Sequence, residues 1–517
     1  MTAEQYRESL RGYAPRVFVD GHEVVSVADE PSLAPGIAAI GVTYDFAHQA
    51  SYREVMTAST PDGRTVNRML ALDASPTDLL AKLEAVRLVC QESGCAQRYL
   101  SHDGLAALDQ VTYRADAEHG TDYHQRLNAY LARVQNADLT LGVAMTDAKG
   151  DRSKRPGAQH NPDVYVHVTQ RRADGIVIRG TKAIVTGAPY VHELLVMPCR
   201  TMTADDADFA VACAVPVDAD GITMVARPAG RPGERAATFS SRYGQSTAVV
   251  IFDDVFVPWE RVFLDGEYEL GGTLTTTYAT HHRHSCIGAR AGFGDLLIGA
   301  GALMIEANGL DPNVHGHIRE AMVELITIVE GFYACGVAAS TYAAAQPSGT
   351  VTPDAVFANI GKLLLANQIY DMHRLAHYVS GGLVVALPGP EEDHNPVTTA
   401  ALAAVLGGRD DIPARQRLEM SRLIEDLTAS YQGGWYSIIS LHGGGSPEAM
   451  KREIWRQYPV AEKTELVANL IDRGAAGGRK MSTRQPGKCC ATGCQPPPPP
   501  SPPGSVPGPI PNVRSAR

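Results

Sequence analysis

Residues Ala144–Pro156 read AMTDAKGDRSKRP, between a helical run ending near Asp138 and a strand-like run at Asp163–Gln170. The stretch carries Asp147, Lys149, Asp151, Arg152 and Lys154, with Gly150 at its centre. A segment this polar is expected to lie outside the core. Two readings of it stand. It is a solvated charged loop, as most charge runs are, or it is a loop for an anionic ligand, with Arg and Lys pairing with phosphate and backbone N–H groups facing it. Its place in the chain decides the fold, because helical periodicity precedes it and short strands follow it.

Upstream, Thr2–Arg11 reads as a helix capped by Thr2 with Gln5 three residues on. Arg16–Ser26 is a hairpin turning at Asp20-Gly21. Helical spacing then dominates to about Tyr130; Thr77–Gln91 shows it best, with Thr77 as cap, Leu79, Leu80, Leu83, Val86 and Leu88 near one face, and Gly94 as stop. Downstream, Asp163–Thr169, Gly175–Arg179, Lys182–Thr186, Leu194–Pro198, Phe209–Pro216 and Ala248–Val257 are short, Val/Ile-rich and separated by Asp/Gly turns. That spacing predicts a β-barrel or sandwich. From about Tyr278 the pattern is helical again, with long runs at Gly292–Ala307, Val314–Gln346, Pro353–Val379 and Ile412–Gln432. The expected domains are 1–139 (helical, with a short hairpin), 140–275 (β), 276–474 (helical bundle) and a disordered Pro-rich tail at 475–517. The tail's Cys489, Cys490 and Cys494 lack a fourth ligand and give a weak metal signal.

The chain has 517 residues, 44% of them hydrophobic, enough for a full core. A net charge of −11 argues against nucleic acid as the main partner. No run of 18 apolar residues is present, so no membrane span is expected. The polar start MTAEQYRESL has no signal core, so a cytoplasmic location with mostly reduced thiols is expected for the nine cysteines.

Five stretches in order, AMTDAKGDRS, GTKAIVTGAP at Gly180–Pro189, VIFDDVFVPWERVF at Val250–Phe263, HHRHSCIGAR at His281–Arg290 and LHGGGSPEAMKR at Leu441–Arg452, resemble one family. It is the 4-hydroxyphenylacetate 3-hydroxylase / 4-hydroxybutyryl-CoA dehydratase family of flavoproteins, and the wording follows its dehydratase branch. The resemblance runs from about Met1 to about Gly474. It implies an α+β, acyl-CoA-dehydrogenase-like fold, a homotetramer or homodimer, and FAD held between the β-domain and helices. It also implies FAD contacts at Met145, Thr146, Asp151, Arg152 and Ser153, at Thr186 and Gly187, at Asn308 and Gly309, and at Lys362, Gly381 and Gly382. A flavin needs hydrogen-bond donors at its ring edge and cations at its pyrophosphate.

The dehydratase branch binds a [4Fe–4S] cluster through three cysteines and a histidine. Cys95 matches the first cysteine and His282 the histidine, but Tyr99 and Ala289 stand at the other two positions. Cluster ligation depends on thiolates, so no metal site is expected. A rearranged set of Cys90, Cys95, His282 and Cys286 is the remaining route. It is opposed by Cys90 and Cys95 lying about 500° apart around a helix, unless Gly94 ends that helix between them. The branch's two acidic catalytic positions fall on Thr247 and Ile439, and Arg290 replaces a lysine. In the hydroxylase branch, Arg98 matches the substrate arginine of an R-x-x-x-Y run. His102 stands for the tyrosine and Val143 for the loop histidine.

The reading that survives these losses best is a two-component monooxygenase, taking reduced FAD from a separate flavin reductase and acting on a small aromatic or polar substrate. No G-x-G-x-x-G fingerprint follows a strand, as expected if reduction happens elsewhere. His282, Arg98 and Tyr99 are its candidate catalytic residues. Arg98 and Arg290 suit an anionic or polar substrate, or structural ion pairs. The alternative is a cluster-free FAD-dependent dehydratase or isomerase acting on a hydroxyacyl-CoA-like substrate. A non-catalytic flavin-binding homologue and an oxidase stand behind these two.

Overall fold

Thr2 opens the first helix as its sequence requires. Its hydroxyl accepts from the Gln5 N–H, and the Gln5 side chain accepts from the Thr2 N–H. A computed structural model describes residues 1–475, and the Cys/Pro-rich tail expected at 475–517 falls, from residue 476 on, outside the described residues. The first part of the chain holds α1 (Ala3–Leu10), the hairpin β1 (Arg16–Val19) and β2 (His22–Glu23), then α2 (Ala34–His48) and α3 (Arg53–Met56). A small hairpin, β3 (Thr57–Ser59) and β4 (Thr65–Asn67), leads to α4 (Pro76–Ser93), α5 (Tyr99–His119) and α6 (Tyr123–Asn136). Ser75, not Thr77, caps α4: its hydroxyl accepts from the Asp78 N–H, and Pro76 takes the first helical position, where its missing N–H costs nothing. Asp20 and Gly21 both have positive φ, the geometry of a tight hairpin turn.

The strands that follow are β5 (Leu141–Ala144), β6 (His167–Arg171), β7 (Gly175–Thr186), β8 (Glu193–Val196), β9 (Val211–Pro216), β10 (Ile222–Ala226), β11 (Thr247–Pro258) and β12 (Val262–Asp265). They form two open sheets, ordered β2-β1-β10-β11-β7-β6 and β12-β9-β8-β5. Ile178, Val185 and Val250 from the first sheet and Leu194, Val196 and Val215 from the second share one core. The arrangement is therefore a sandwich, and the barrel alternative is corrected: neither sheet closes. The N-terminal hairpin belongs to this layer, because β1 pairs in parallel with β10. The two strands expected at Gly175–Arg179 and Lys182–Thr186 are one. Gly180, at φ +130°, carries the chain past the Tyr165 backbone, where a Cβ would overlap.

The last part is helical: α7 (Tyr268–Ala307), α8 (Gly316–Thr341), α9 (Ala355–Ser380), α10 (Thr399–Val405), α11 (Ala414–Thr428), α12 (Tyr431–His442) and α13 (Pro447–Gln457). A further helix, α14 (Val460–Ala475), belongs to a second compact unit that starts at Pro459. α7 begins at Tyr268, within the span expected of the β-domain, and runs 40 residues without a break. Both α7 and α8 have the length and mean hydropathy of a membrane span, 1.3 and 1.6, yet two thirds of the α7 stretch is buried inside the fold. The axis of α7 passes close to α4, because a Cβ on Gly292 would overlap the Arg87 carbonyl oxygen. This helical–β–helical order is the acyl-CoA-dehydrogenase-like architecture that the resemblance implies.

Candidate active site

The loop at Ala144–Pro156 is tied down at one end and open at the other. Asp147 is buried, contrary to its polar setting, and pairs with the buried Lys182 at 2.7 Å. Lys182 also donates to the carbonyls of Met145 and Met197, and Asp147 accepts from the Val166 N–H. This anchor fixes the backbone at Met145 and Thr146, whose carbonyl accepts from the Ala183 N–H. Beyond it, Lys149 and Gly150 adopt positive φ and the chain turns outward. Asp151 accepts from the Ser153 N–H and hydroxyl, which lowers its carboxyl below the usual range. Arg152 is exposed and makes no ion pair among the described residues.

A cavity of about 40 Å³ lies where the three parts of the chain meet, room for a few waters. Gln97, Tyr99 and Leu100 border it from the start of α5, and Thr186 from the end of β7. His282, Cys286, Ala289 and Arg290 border it from α7, Lys362 and Leu365 from α9, and Ile439 and Ser440 from α12. Within about one helical turn, HHRH at His281–His284 sends each side chain to a different neighbour. His281 faces Gln110, His282 faces Asp103, Arg283 reaches Asn359 and the Gly444 carbonyl, and His284 meets Ser340.

His282 is the centre of the wall. Its Nδ1 is 3.1 Å from Asp103 Oδ2 and its Nε2 is 3.6 Å from Cys286 Sγ. The rings of Tyr278 and Tyr99 stack on it at 5.3 and 6.0 Å. Burial alone would lower the imidazole, but the Cys286 thiolate and Asp103 outweigh it and raise it to about 10. Burial likewise raises the Cys286 thiol, and the His282 cation reverses this to a net lowering. Asp103, a residue without a motif of its own, also accepts from Ser285 and lies 3.5 Å from the fully buried Lys82 ammonium. Its adjacency to His102 was the one sequence signal available. Lys362 is buried, donates to the Ser440 carbonyl at 2.6 Å, and is lowered by desolvation to about 8. Arg290 is buried; its Nη2 lies 3.8 Å from Cys95 Sγ, while its Nη1 has no partner. The Cys95 thiol is lowered to about 6, first by its hydrogen bond with Cys90 and then, against burial, by Arg290.

The expected site residues thus separate. Tyr99, His282, Thr186 and Lys362 come together, with Gly187 (φ +74°) beside Thr186. Arg98 does not join them. Its guanidinium is buried over the Tyr44 ring, 3.7 Å to the centroid, and is paired with Asp138. Asn308, Gly309, Gly381 and Gly382 form a second group where α7 and α9 end: Asn308 donates to the Ser380 carbonyl and accepts from Arg417. At about 1.5 Å rise per residue, α7 separates Asn308 from His282 by about 40 Å.

The residues fit a flavin dinucleotide by their chemistry: a buried guanidinium at Arg290 with its Nη1 unpartnered, a buried ammonium at Lys362 and an exposed guanidinium, Arg152, on an anchored loop. They do not fit the iron–sulfur cluster. Tyr99 and Ala289 hold two ligand positions, Cys286 is engaged with His282, and Cys95 faces Arg290. Among the described residues no three His, Cys, Asp or Glu side chains group as ligands of one ion.

The family model for the 4-hydroxyphenylacetate 3-hydroxylase N terminal region matches residues 2–264, and that for the C terminal region matches 272–472. The chain is 34% identical over 482 residues to 4-hydroxybutyryl-CoA dehydratase/vinylacetyl-CoA-Delta-isomerase of Clostridium aminobutyricum, covering 90% of this chain and 98% of that protein. An oxygen-tolerant archaeal 4-hydroxybutyryl-CoA dehydratase from N. maritimus superposes with a TM-score of 0.87 at 33% identity, covering 94% of this chain and 97% of the other. The oxygenase component of 4-hydroxyphenylacetate 3-monooxygenase, complexed with FAD, shares the fold at a TM-score of 0.80 and 24% identity, over 92% of this chain and 99% of that one.

Proposed function

Because the chain belongs to the 4-hydroxyphenylacetate 3-hydroxylase family, we propose that it is an FAD-dependent monooxygenase of the two-component type. It takes reduced FAD from a separate reductase and hydroxylates a small aromatic or polar substrate with O₂. One observation carries the reading: two cluster-ligand positions hold Tyr99 and Ala289, while the histidine that stacks on Tyr99 remains as a carboxylate-supported acid–base group, His282 on Asp103. Bound FAD supplies the redox chemistry and the reaction with oxygen.

The chain's own residues have separable tasks in this reading. The Asp147–Lys182 pair holds the loop, and Arg152 meets the pyrophosphate. Thr186 and Lys362, which both border the cavity, are the residues that would hold the ring at its edge. The free Nη1 of Arg290 holds a polar or anionic group of the substrate. His282 moves a proton at Nε2, and Tyr99 closes the site by stacking on its ring. The Asn308–Gly382 group is too far along α7 to serve the same cofactor, so a second copy of the chain, in a homodimer or homotetramer, brings its own group to it.

A second reading is a cluster-free isomerase or dehydratase acting on a hydroxyacyl-CoA-like substrate, favoured by the 34% identity to such an enzyme. The test runs both assays on one preparation. Oxygen uptake with a flavin reductase, FAD and a panel of phenols is expected to rise with a particular phenol and yield a hydroxylated product. Anaerobic conversion of a hydroxyacyl-CoA or an enoyl-CoA without oxygen uptake would replace the first reading with the second.

A further inference from the structure

The loop that joins β10 to β11, residues 227–246, carries Arg227, Arg231, Arg235 and Arg242, and none of them borders the cavity. It is folded back on itself. Gly230, at φ +98°, passes where a Cβ would overlap the Ser240 carbonyl oxygen, and a Cβ on Gly244 would overlap that of Ala229. The Asp426 carboxylate, from α11, accepts from the Phe239 and Ser240 N–H groups and from the Ser240 hydroxyl. The loop therefore presents its arginines from a fixed backbone.

Two of them meet the start of α12. The Arg227 guanidinium lies 4.0 Å from the centroid of the Tyr431 ring, and that of Arg231 lies 5.1 Å from the same centroid. Arg227 has no side-chain hydrogen bond or ion pair among the described residues, and its Nε is buried without an acceptor. Arg231 pairs with Glu234 at 3.4 Å, both side chains about half exposed, a pair that contributes little in water. Asp426 is occupied by its three donors. Two like charges held on one ring repel each other, and a buried donor without an acceptor is costly. A dianion shared by both guanidiniums offsets both costs, and the planar fork of arginine matches phosphate oxygens. The positive end of the α12 dipole adds to the attraction.

The pair stands a fixed step from the cavity along two elements. The Arg227 N–H donates to the Thr247 carbonyl, and Thr247 is paired with Thr186 of the cavity wall. Arg227 and Thr186 are thus two strand spacings apart, about 10 Å. Tyr431 opens α12 and Ile439, also on the wall, lies towards its end, about 12 Å along the helix.

We propose that Arg227 and Arg231, braced on Tyr431, bind the phosphate group of an extended substrate whose reacting end occupies the cavity. This rests on the cavity being the reacting site, and it narrows the substrate class to phosphate esters. At about 1.2 Å per bond of extended chain, about eight bonds separate the phosphate from the reacting group. Arg227 and Arg231 are binding and specificity residues; no bond is made or broken at them.

Isothermal titration calorimetry on the full-length protein with FAD present tests the assignment. The probes are inorganic phosphate and phenylalkyl phosphates of graded chain length. Affinity is expected to rise with chain length and to level off where the phenyl ring reaches the cavity. In Ile439→Phe, which narrows the cavity, the gain from chain length is expected to vanish while inorganic phosphate binds as before. Arg227→Gln and Arg231→Gln are each expected to weaken the longest probe about tenfold or more, with FAD affinity, read by flavin fluorescence, unchanged. If Arg227→Gln does not fold, Arg231→Gln decides by the same criteria. Equal affinity at every chain length marks an adventitious anion only and overturns the assignment, as does a chain-length gain that persists in Ile439→Phe. Unchanged affinity in the arginine variants overturns it too. A parallel loss of FAD affinity gives the pair to the cofactor's diphosphate instead and overturns the substrate role. The measurement needs no turnover, so failure of the monooxygenase reading is seen separately, in the oxygen-uptake assay.

Discussion

Lys182 Nζ lies 2.7 Å from Asp147 Oδ1, both side chains 2% exposed, and this pair ties the start of the charged loop to β7. Replacing Lys182 by Met leaves a buried carboxylate without its counter-ion. The expected loss is about 3–5 kcal/mol of stability, as for other broken buried pairs. Chemical denaturation of wild type and Lys182→Met measures it. Limited proteolysis is expected to find new cleavage within residues 146–156, because the anchor fails there first.

Arg152 offers the opposite case. It is exposed and holds nothing in its own fold, so Arg152→Ala is expected to change stability by no more than about 0.5 kcal/mol. In the proposed role it makes a charge-assisted bond to the FAD pyrophosphate, and its removal is expected to weaken FAD binding about tenfold or more. Equilibrium titration of flavin fluorescence checks this. Full FAD affinity in the variant would move the pyrophosphate away from this loop.

His192 makes the fold acid-sensitive. Its Nδ1 accepts from the Thr140 N–H at 2.8 Å and its Nε2 lies 2.8 Å from Ser9 Oγ, so the neutral ring joins α1 to the start of β5. Burial first, then Arg98, lowers the imidazole from its ordinary 6.5 to about 4. The unfolded chain therefore binds more protons between those values, and stability falls as pH drops from 6.5 towards 4. A group shifted this far contributes about 3 kcal/mol over that window. In His192→Gln the melting temperature is expected to be lower at neutral pH and to change less between pH 6.5 and 4; an equal slope in both proteins would refute the assignment.

Gly292 sets the distance between α7 and α4. A methyl group there overlaps the Arg87 carbonyl and the Cys90 side chain, so Gly292→Ala is expected to cost about 1–3 kcal/mol as overpacking. Gly299, with nothing near its Cβ position on the same helix, is the control: Gly299→Ala is expected to be neutral or stabilising. Melting curves of the two variants compare them directly.

Tyr99 and Ala289 account for the missing cluster ligands. Anaerobic reconstitution with iron and sulfide is expected to leave the wild-type protein at background iron. The double variant Tyr99→Cys/Ala289→Cys is expected to retain iron with a broad visible absorption. Iron retained by the wild type would mean that Cys90 or Cys286 serves as a ligand after all.

Much of this protein was legible along the chain because the signals are local. The Thr2–Gln5 cap, the Asp20-Gly21 turn and the change from helical to strand spacing near residue 140 depend on neighbours a few residues apart. Short-range hydrogen bonding and periodic burial fix them before any packing. The mismatches at Tyr99 and Ala289 were likewise readable by position. Tertiary packing decided the rest. Arg98 and Tyr99 are adjacent, yet one is buried against Tyr44 and Asp138 and the other borders the cavity, because successive helix residues point about 100° apart. Asp103 and Lys82 carry no motif, and only the crossing of α4, α5 and α7 brings them to His282. Buried charge requires a partner, and partners as far apart in sequence as Asp103 and His282 are chosen by the fold, where desolvation makes each unpaired alternative costly.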